Sequence, residues 1–85
     1  MTAMPYRRTD DELELRLGYN VRRRRVRLGL TQHQLGDAVG LPQSAISEIE
    51  SGRSWVSWPT LQRLGEVLDA SPGALLRRAR RQQVA

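Results

Sequence analysis

The sequence predicts an all-α domain of five helices. Three observations lead there. Apolar residues recur at helical spacing throughout the middle of the chain. Helix-start signals (Thr31, Pro42, Pro59 and Ser71-Pro72) and helix-stop glycines (Gly29, Gly40 and Gly52) divide it into short segments. No stretch alternates with the period of two that a strand needs, and there is no internal repeat or low-complexity run.

The elements follow in order. Residues 1–8, MTAMPYRR, lack periodicity and are expected to form a flexible basic arm. Arg7 and Arg8 could enter a minor groove, as basic arms sometimes do, although a tail with no role is the simpler reading. Thr9 and Glu12 fit a capping box, and Asp10, Asp11 and Glu12 suit the positive end of a helix dipole. Leu13, Leu17, Val21 and Leu28 share a stripe with Arg25, so helix 1 is predicted over 10–28. Gly18 weakens its middle by about 1 kcal/mol relative to alanine, and a break could fall there. Thr31 and Gln34 form a second capping box, opening helix 2 over 32–39, and Gly40 ends it. Helix 3 spans 43–51, with Pro42 near its start, where a missing N–H does no harm, and Gly52 after it. Pro59 opens helix 4, which presents Leu61, Leu64, Val67 and Leu68 on one face. Ser71 and Pro72 start helix 5, with Leu75 and Leu76 inward and Arg77–Arg81 toward its C-terminal end. The whole reads as one domain over 9–82, with a frayed tail at 83–85.

Composition bounds the function. Eighty-five residues suffice for one small domain with a thin stability margin. Phenylalanine is absent, so aliphatic residues must build most of the core. Without cysteine there is neither a disulfide nor a thiolate metal site, and no metal or other cofactor is expected. Apolar runs fall far short of the roughly 20 residues that span a bilayer. With no apolar signal core at the N-terminus either, a cytoplasmic protein with no membrane association is expected. The net charge is +5, and all 14 basic residues are arginine. Codon bias could produce that preference, so position carries more weight. Arg22–Arg25 with Arg27, and Arg77, Arg78, Arg80 and Arg81, form two clusters of the kind that suits a polyanion. A solvated helix face and a charged tail are the plainer account.

Residues 31–52, TQHQLGDAVGLPQSAISEIESG, carry the most information. Leu35, Val39, Leu41, Ile46 and Ile49 can bury the inner faces of two short helices. Gly36 permits their close approach, and Gly40 accepts a left-handed turn. Gln43, Ser44, Ser47 and Glu48 then face outward from the second helix as polar side chains able to read base edges. This is the pattern of a DNA-binding helix-turn-helix.

The chain resembles the Cro/C1-type family, the phage-repressor-like or xenobiotic-response-element group. The resemblance is carried by Arg25, Leu28-Gly29-Leu30-Thr31-Gln32, Leu35, Gly40, Ser44, Ile46-Ser47, Ile49-Glu50, Gly52, Pro59 and Leu61. It covers roughly residues 17–76 and implies a compact five-helix, lambda-repressor-like domain with the reader at helices 2 and 3. Gly36 and Gly65 replace the family's usual alanines and are expected to cost stability without changing the fold. Pro42 stands where serine or threonine often caps helix 3, and is expected to shift the start of that helix and so the pose of Gln43. Residues 1–16 have no obvious counterpart.

The resemblance also implies roles. Gln43 and Ser44 lie at the end of helix 3 that enters the major groove, where Gln43 matches adenine N6 and N7. Ser47 and Glu48 lie one turn on, and Glu48 can accept from cytosine N4. Ordinary solvent exposure is the alternative for all four. Gln32, at the start of helix 2, is placed for a phosphate, and Arg53, Arg22 and Arg23 are further phosphate candidates. His33 is a lone surface histidine with no evident role. Arg25 and Glu50 look like the family's internal ion pair: an unpaired arginine on an apolar stripe would be costly, and a bidentate pair satisfies both groups. Trp55 and Trp58 sit in a variable loop. They can cap the core, face a partner or stack on DNA backbone, with core packing expected for one of them.

These readings point to a sequence-specific transcriptional regulator, a repressor that binds a palindromic operator in double-stranded DNA as a homodimer. The family implies a dimer surface at the end of helix 4, the 69–73 turn and helix 5. The competing reading is a protein-interaction module with the same fold, either an antitoxin that binds a toxin or an adaptor for another regulator. The WVSW loop and the unmatched N-terminal extension favour it. An enzyme is rejected: one histidine, no cysteine and no glycine-rich phosphate loop leave nothing to carry catalysis.

Overall fold

The structure is a computed structural model that describes the backbone of residues 4–78 and side chains from Glu12 onward. Five helices follow one another: α1 (Met4–Arg27), α2 (Gln32–Val39), α3 (Gln43–Glu50), α4 (Trp58–Leu68) and α5 (Pro72–Leu75). No strand occurs among the described residues.

The first helix departs from the sequence expectation at its start. It begins at Met4, so Thr9 lies inside it and is not its N-cap. Pro5 falls in the first turn, where its missing N–H leaves no bond unmade. Glu12 instead pairs with Arg16 one turn on, at 3.6 Å. The side chains of residues 1–11, Arg7 and Arg8 among them, and the tail at 83–85 lie outside the described residues.

Nor does α1 break at Gly18. It crosses α3 there so closely that a Cβ on Gly18 would collide with the carbonyl oxygens of Ile49 and Glu50. The other end also differs from expectation. Leu28 is half exposed, because α1 ends at Arg27 and the chain turns through Gly29 at φ +75°. Helical spacing no longer aims Leu28 inward.

The core collects Leu17 and Val21 from α1, Leu35 and Val39 from α2, and Ile46 and Ile49 from α3. Leu61, Leu64 and Leu68 come from α4, and Leu75 from α5. Val67 and Leu76 pack against it from the rim. At about 25 cal/mol per Å2 of apolar area, each fully buried leucine contributes about 1.5–3 kcal/mol.

Side chains from distant helices close three carbonyl ends. Arg24 on α1 donates to the Leu68 and Asp69 carbonyls at the end of α4, at 3.5 and 3.1 Å. Asn20, also on α1, donates to the Leu75 and Arg77 carbonyls, at 2.9 and 2.8 Å. Arg63 on α4 donates to the Val39 carbonyl of α2, at 3.3 Å. None of these ties was read from the sequence.

Candidate nucleic-acid interface

The local sequence sets the angle between α2 and α3. Thr31 Oγ1 accepts from the Gln34 N–H at 3.0 Å, and Gln34 Oε1 accepts from the Thr31 N–H at 2.9 Å. That closed capping box fixes where α2 begins. Gly40 ends it in the left-handed region, at φ 78° and ψ 31°. The Leu41 N–H then bonds back to the Gly36 carbonyl at 2.8 Å.

A Cβ on Gly36 would lie 2.5 Å from the Leu41 carbonyl oxygen, and one on Gly65 would collide with the Ala70 carbonyl. Both glycines therefore fit turns that leave no room for a side chain. This corrects the expectation that they only weaken the helices. Pro42 is the N-cap of α3 with no side-chain cap bond, and α3 starts at Gln43.

The outer face of this unit carries Gln43, Ser44, Ser47 and Glu48, all exposed. Behind them runs a chain of polar contacts. Arg25 Nε donates to Glu50 Oε2 at 2.6 Å, and its Nη2 donates to Glu50 Oε1 at 3.0 Å. Arg25 Nη1 also donates to the Leu30 carbonyl at 2.7 Å. The Glu50 side chain is only 3% exposed, so this is a buried, bidentate, charge-assisted pair. Glu50 Oε1 further accepts from Gln32 Nε2 at 3.1 Å, and Gln32 Oε1 accepts from Gln43 Nε2 at 3.3 Å. The buried ion pair thus orients a half-buried amide, Gln32, at the start of α2, and through it an exposed one, Gln43, at the start of α3.

The remaining candidates are placed less tightly. Arg53 lies 3.5 Å from Glu48 with both side chains exposed, so the pair adds little stability but neutralises the carboxylate beside the reader. Arg22 and Arg23 are exposed on α1, and no hydrogen bond or ion pair joins them to α3. His33 pairs with Asp37 at the surface, at 3.4 Å.

Neither tryptophan is buried: Trp55 is 45% exposed and Trp58 60%. The sequence expectation that one of them packs in the core is corrected. Val56 takes the inward position in that loop and rests against the core. Sequence reasoning missed the link from Gln32 to both Glu50 and Gln43. No periodic signal marks an amide on one helix meeting an amide on the next.

Comparison with known proteins decides the family. A family profile described as a helix-turn-helix domain matches residues 16–79. The chain belongs to the Cro/C1-type helix-turn-helix family. It is similar to the P22 c2 repressor, solved in complex with synthetic operator 9T, with 34% identity and a TM-score of 0.70 over 72% of this chain and 92% of that one. It is also similar to the restriction-modification controller protein C.AhdI from Aeromonas hydrophila, with 31% identity and a TM-score of 0.68 over 73% and 94%. The clp gene regulator ClgR from Corynebacterium glutamicum matches with 33% identity and a TM-score of 0.71, over 75% and 68%. No curated protein matches the chain. The fold is the compact five-helix, lambda-repressor-like arrangement, and the protein is a helix-turn-helix transcriptional regulator similar to phage repressors and controller proteins. No helix among the described residues is long and apolar enough to cross a membrane, and no group of metal-ligating side chains occurs among them.

Proposed function

We propose that the chain binds an operator in double-stranded DNA as a homodimer and represses transcription, with α3 in the major groove. Gln43, Ser44, Ser47 and Glu48 face the bases, while Gln32, Arg22, Arg23 and Arg53 contact phosphates. One observation carries this reading. Gln43 is exposed at the start of α3 yet tied through Gln32 to the buried Glu50–Arg25 pair. A reading group held this way loses little freedom on binding. Such pre-organisation is what a bidentate contact to adenine, worth about 1–3 kcal/mol of discrimination, requires. The operator complex of the similar P22 c2 repressor supports a DNA partner.

A single eight-residue reader helix covers few base pairs, so two half-sites about one helical turn apart are the geometry that would give useful selectivity. Selection of bound duplexes from a random pool at near-physiological salt tests this. A dyad-symmetric motif is expected, relaxed at one position in each half by Gln43→Ala. An enriched motif without dyad symmetry would exclude the homodimer.

The two exposed tryptophans favour a second reading, a protein-interaction module on the same fold. Failure of any duplex to enrich would favour it.

A further inference from the structure

The backbone bonds that close the end of α3 also bring two charged side chains together. The Gly52 N–H bonds to the Ile49 carbonyl at 3.0 Å, and the Arg53 N–H bonds to the Glu48 carbonyl at 3.1 Å. Gly52 holds φ 80°, in the left-handed region. These are the paired bonds of a Schellman closure. A Cβ on Gly52 would lie 2.6 Å from Leu15 Cδ2, so the turn is seated against α1. Ser51 Oγ donates to the same Glu48 carbonyl at 2.9 Å. Such a closure sets the side chain after the glycine against one in the last helical turn, and their contact is commonly apolar. Here it is an ion pair: Arg53 Nη1 lies 3.5 Å from Glu48 Oε2, with both side chains exposed. The fold gains little from charges in that position.

The reader face gains more. Glu48 lies one helical turn after Ser44 and beside Ser47. Its carboxylate accepts hydrogen bonds and cannot donate them. In the major groove cytosine presents only its N4 amino donor. Adenine sets the N7 acceptor beside its N6 donor, and guanine presents the acceptors O6 and N7. A carboxylate therefore suits cytosine and is repelled by the lone pairs of either purine. Left alone, it would also be repelled by the phosphates that flank the groove. The contact with Arg53 engages Oε2, so Oε1 can accept from cytosine N4. A guanidinium carries several N–H donors in a fixed fork, so it can hold Glu48 and a phosphate oxygen together.

We propose that Arg53 is a positioning residue for sequence reading: it ties the Glu48 carboxylate to the DNA backbone, so that Glu48 selects cytosine at one position of the half-site. The inference rests on the operator reading above and names one base of that operator. Selection of duplexes from a random pool with the full chain and its variants tests it. The wild type is expected to enrich cytosine at one position. Glu48→Gln should move that position toward adenine, which marks it as the one Glu48 reads. Arg53→Ala should lower the cytosine preference there by about fivefold or more, beyond any loss shared by all sequences. Arg53→Lys keeps the charge and should retain most of the preference. A residue that contacts phosphate alone would weaken all duplexes alike and reduce the salt slope by about 1. That uniform loss, with the cytosine preference intact, would overturn the proposal and leave the operator reading standing. So would a motif in which Glu48→Gln shifts no position. No enriched motif for the wild type would overturn both.

Discussion

Gly18 shows how a residue can reverse its local propensity. Alanine is favoured over glycine inside a helix by about 1 kcal/mol. Here the added carbon would strike two carbonyl oxygens of α3, and overpacking of that kind costs about 1–3 kcal/mol. Gly18→Ala is therefore expected to lower the melting temperature, and a rise would show that α1 and α3 can separate freely. The Arg25–Glu50 pair is the second residue-scale case. Arg25→Ala strands a buried carboxylate, at a cost of about 3–5 kcal/mol. Arg25→Met with Glu50→Leu replaces both charges with apolar volume and should destabilise less. Melting temperatures in the opposite order would remove the pair as the anchor of α3. Arg25 could be singled out in the sequence because a charged residue on an apolar stripe calls for a partner. The approach of α1 to α3 at Gly18 could not, since nothing in a single helix's pattern reports how near another backbone will come.

Elements with strong end chemistry were legible. The bounds of α2 follow from Thr31, Gln34 and Gly40 alone, and Thr31→Ala should cost about 1 kcal/mol, read as a drop of roughly 4–8 °C in melting temperature. The start of α1 was not legible. Thr9 and Glu12 match a capping box, but threonine and glutamate three apart also fit the body of a helix, and α1 in fact begins at Met4 with Pro5 in its first turn. The brevity of α5 escaped the sequence for a different reason. Its four residues are held from outside, by burial of Leu75 and by the two bonds from Asn20. Asn20→Ala leaves two carbonyls without their partner, at about 1–3 kcal/mol. Hydrogen exchange should then accelerate in α5 before it does in α2. Equal acceleration everywhere would mean that Asn20 does not act through α5.

For the molecule as a whole, charge makes the clearest prediction. If about six phosphates are neutralised on binding, the logarithm of the affinity should fall against that of salt with a slope near −5. A shallow slope would shift the weight to protein partners. The fold class was legible because five apolar faces, their stops and the family resemblance all agreed. The recognition surface was legible only as a set of exposed polar side chains, since the amide-to-amide links that orient it belong to no single element. The carbonyl ends of α2, α4 and α5 carry a further consequence. Each is sealed by a side chain from another helix, Arg63, Arg24 or Asn20. These three helices are not complete by themselves, so a fragment that separates one of them from its partner helix would lack that closure. The domain should therefore melt as one cooperative unit, with no half-folded intermediate that could present the recognition helix alone. A ligand that grips any single helix would then stabilise the reader by the full strength of that grip.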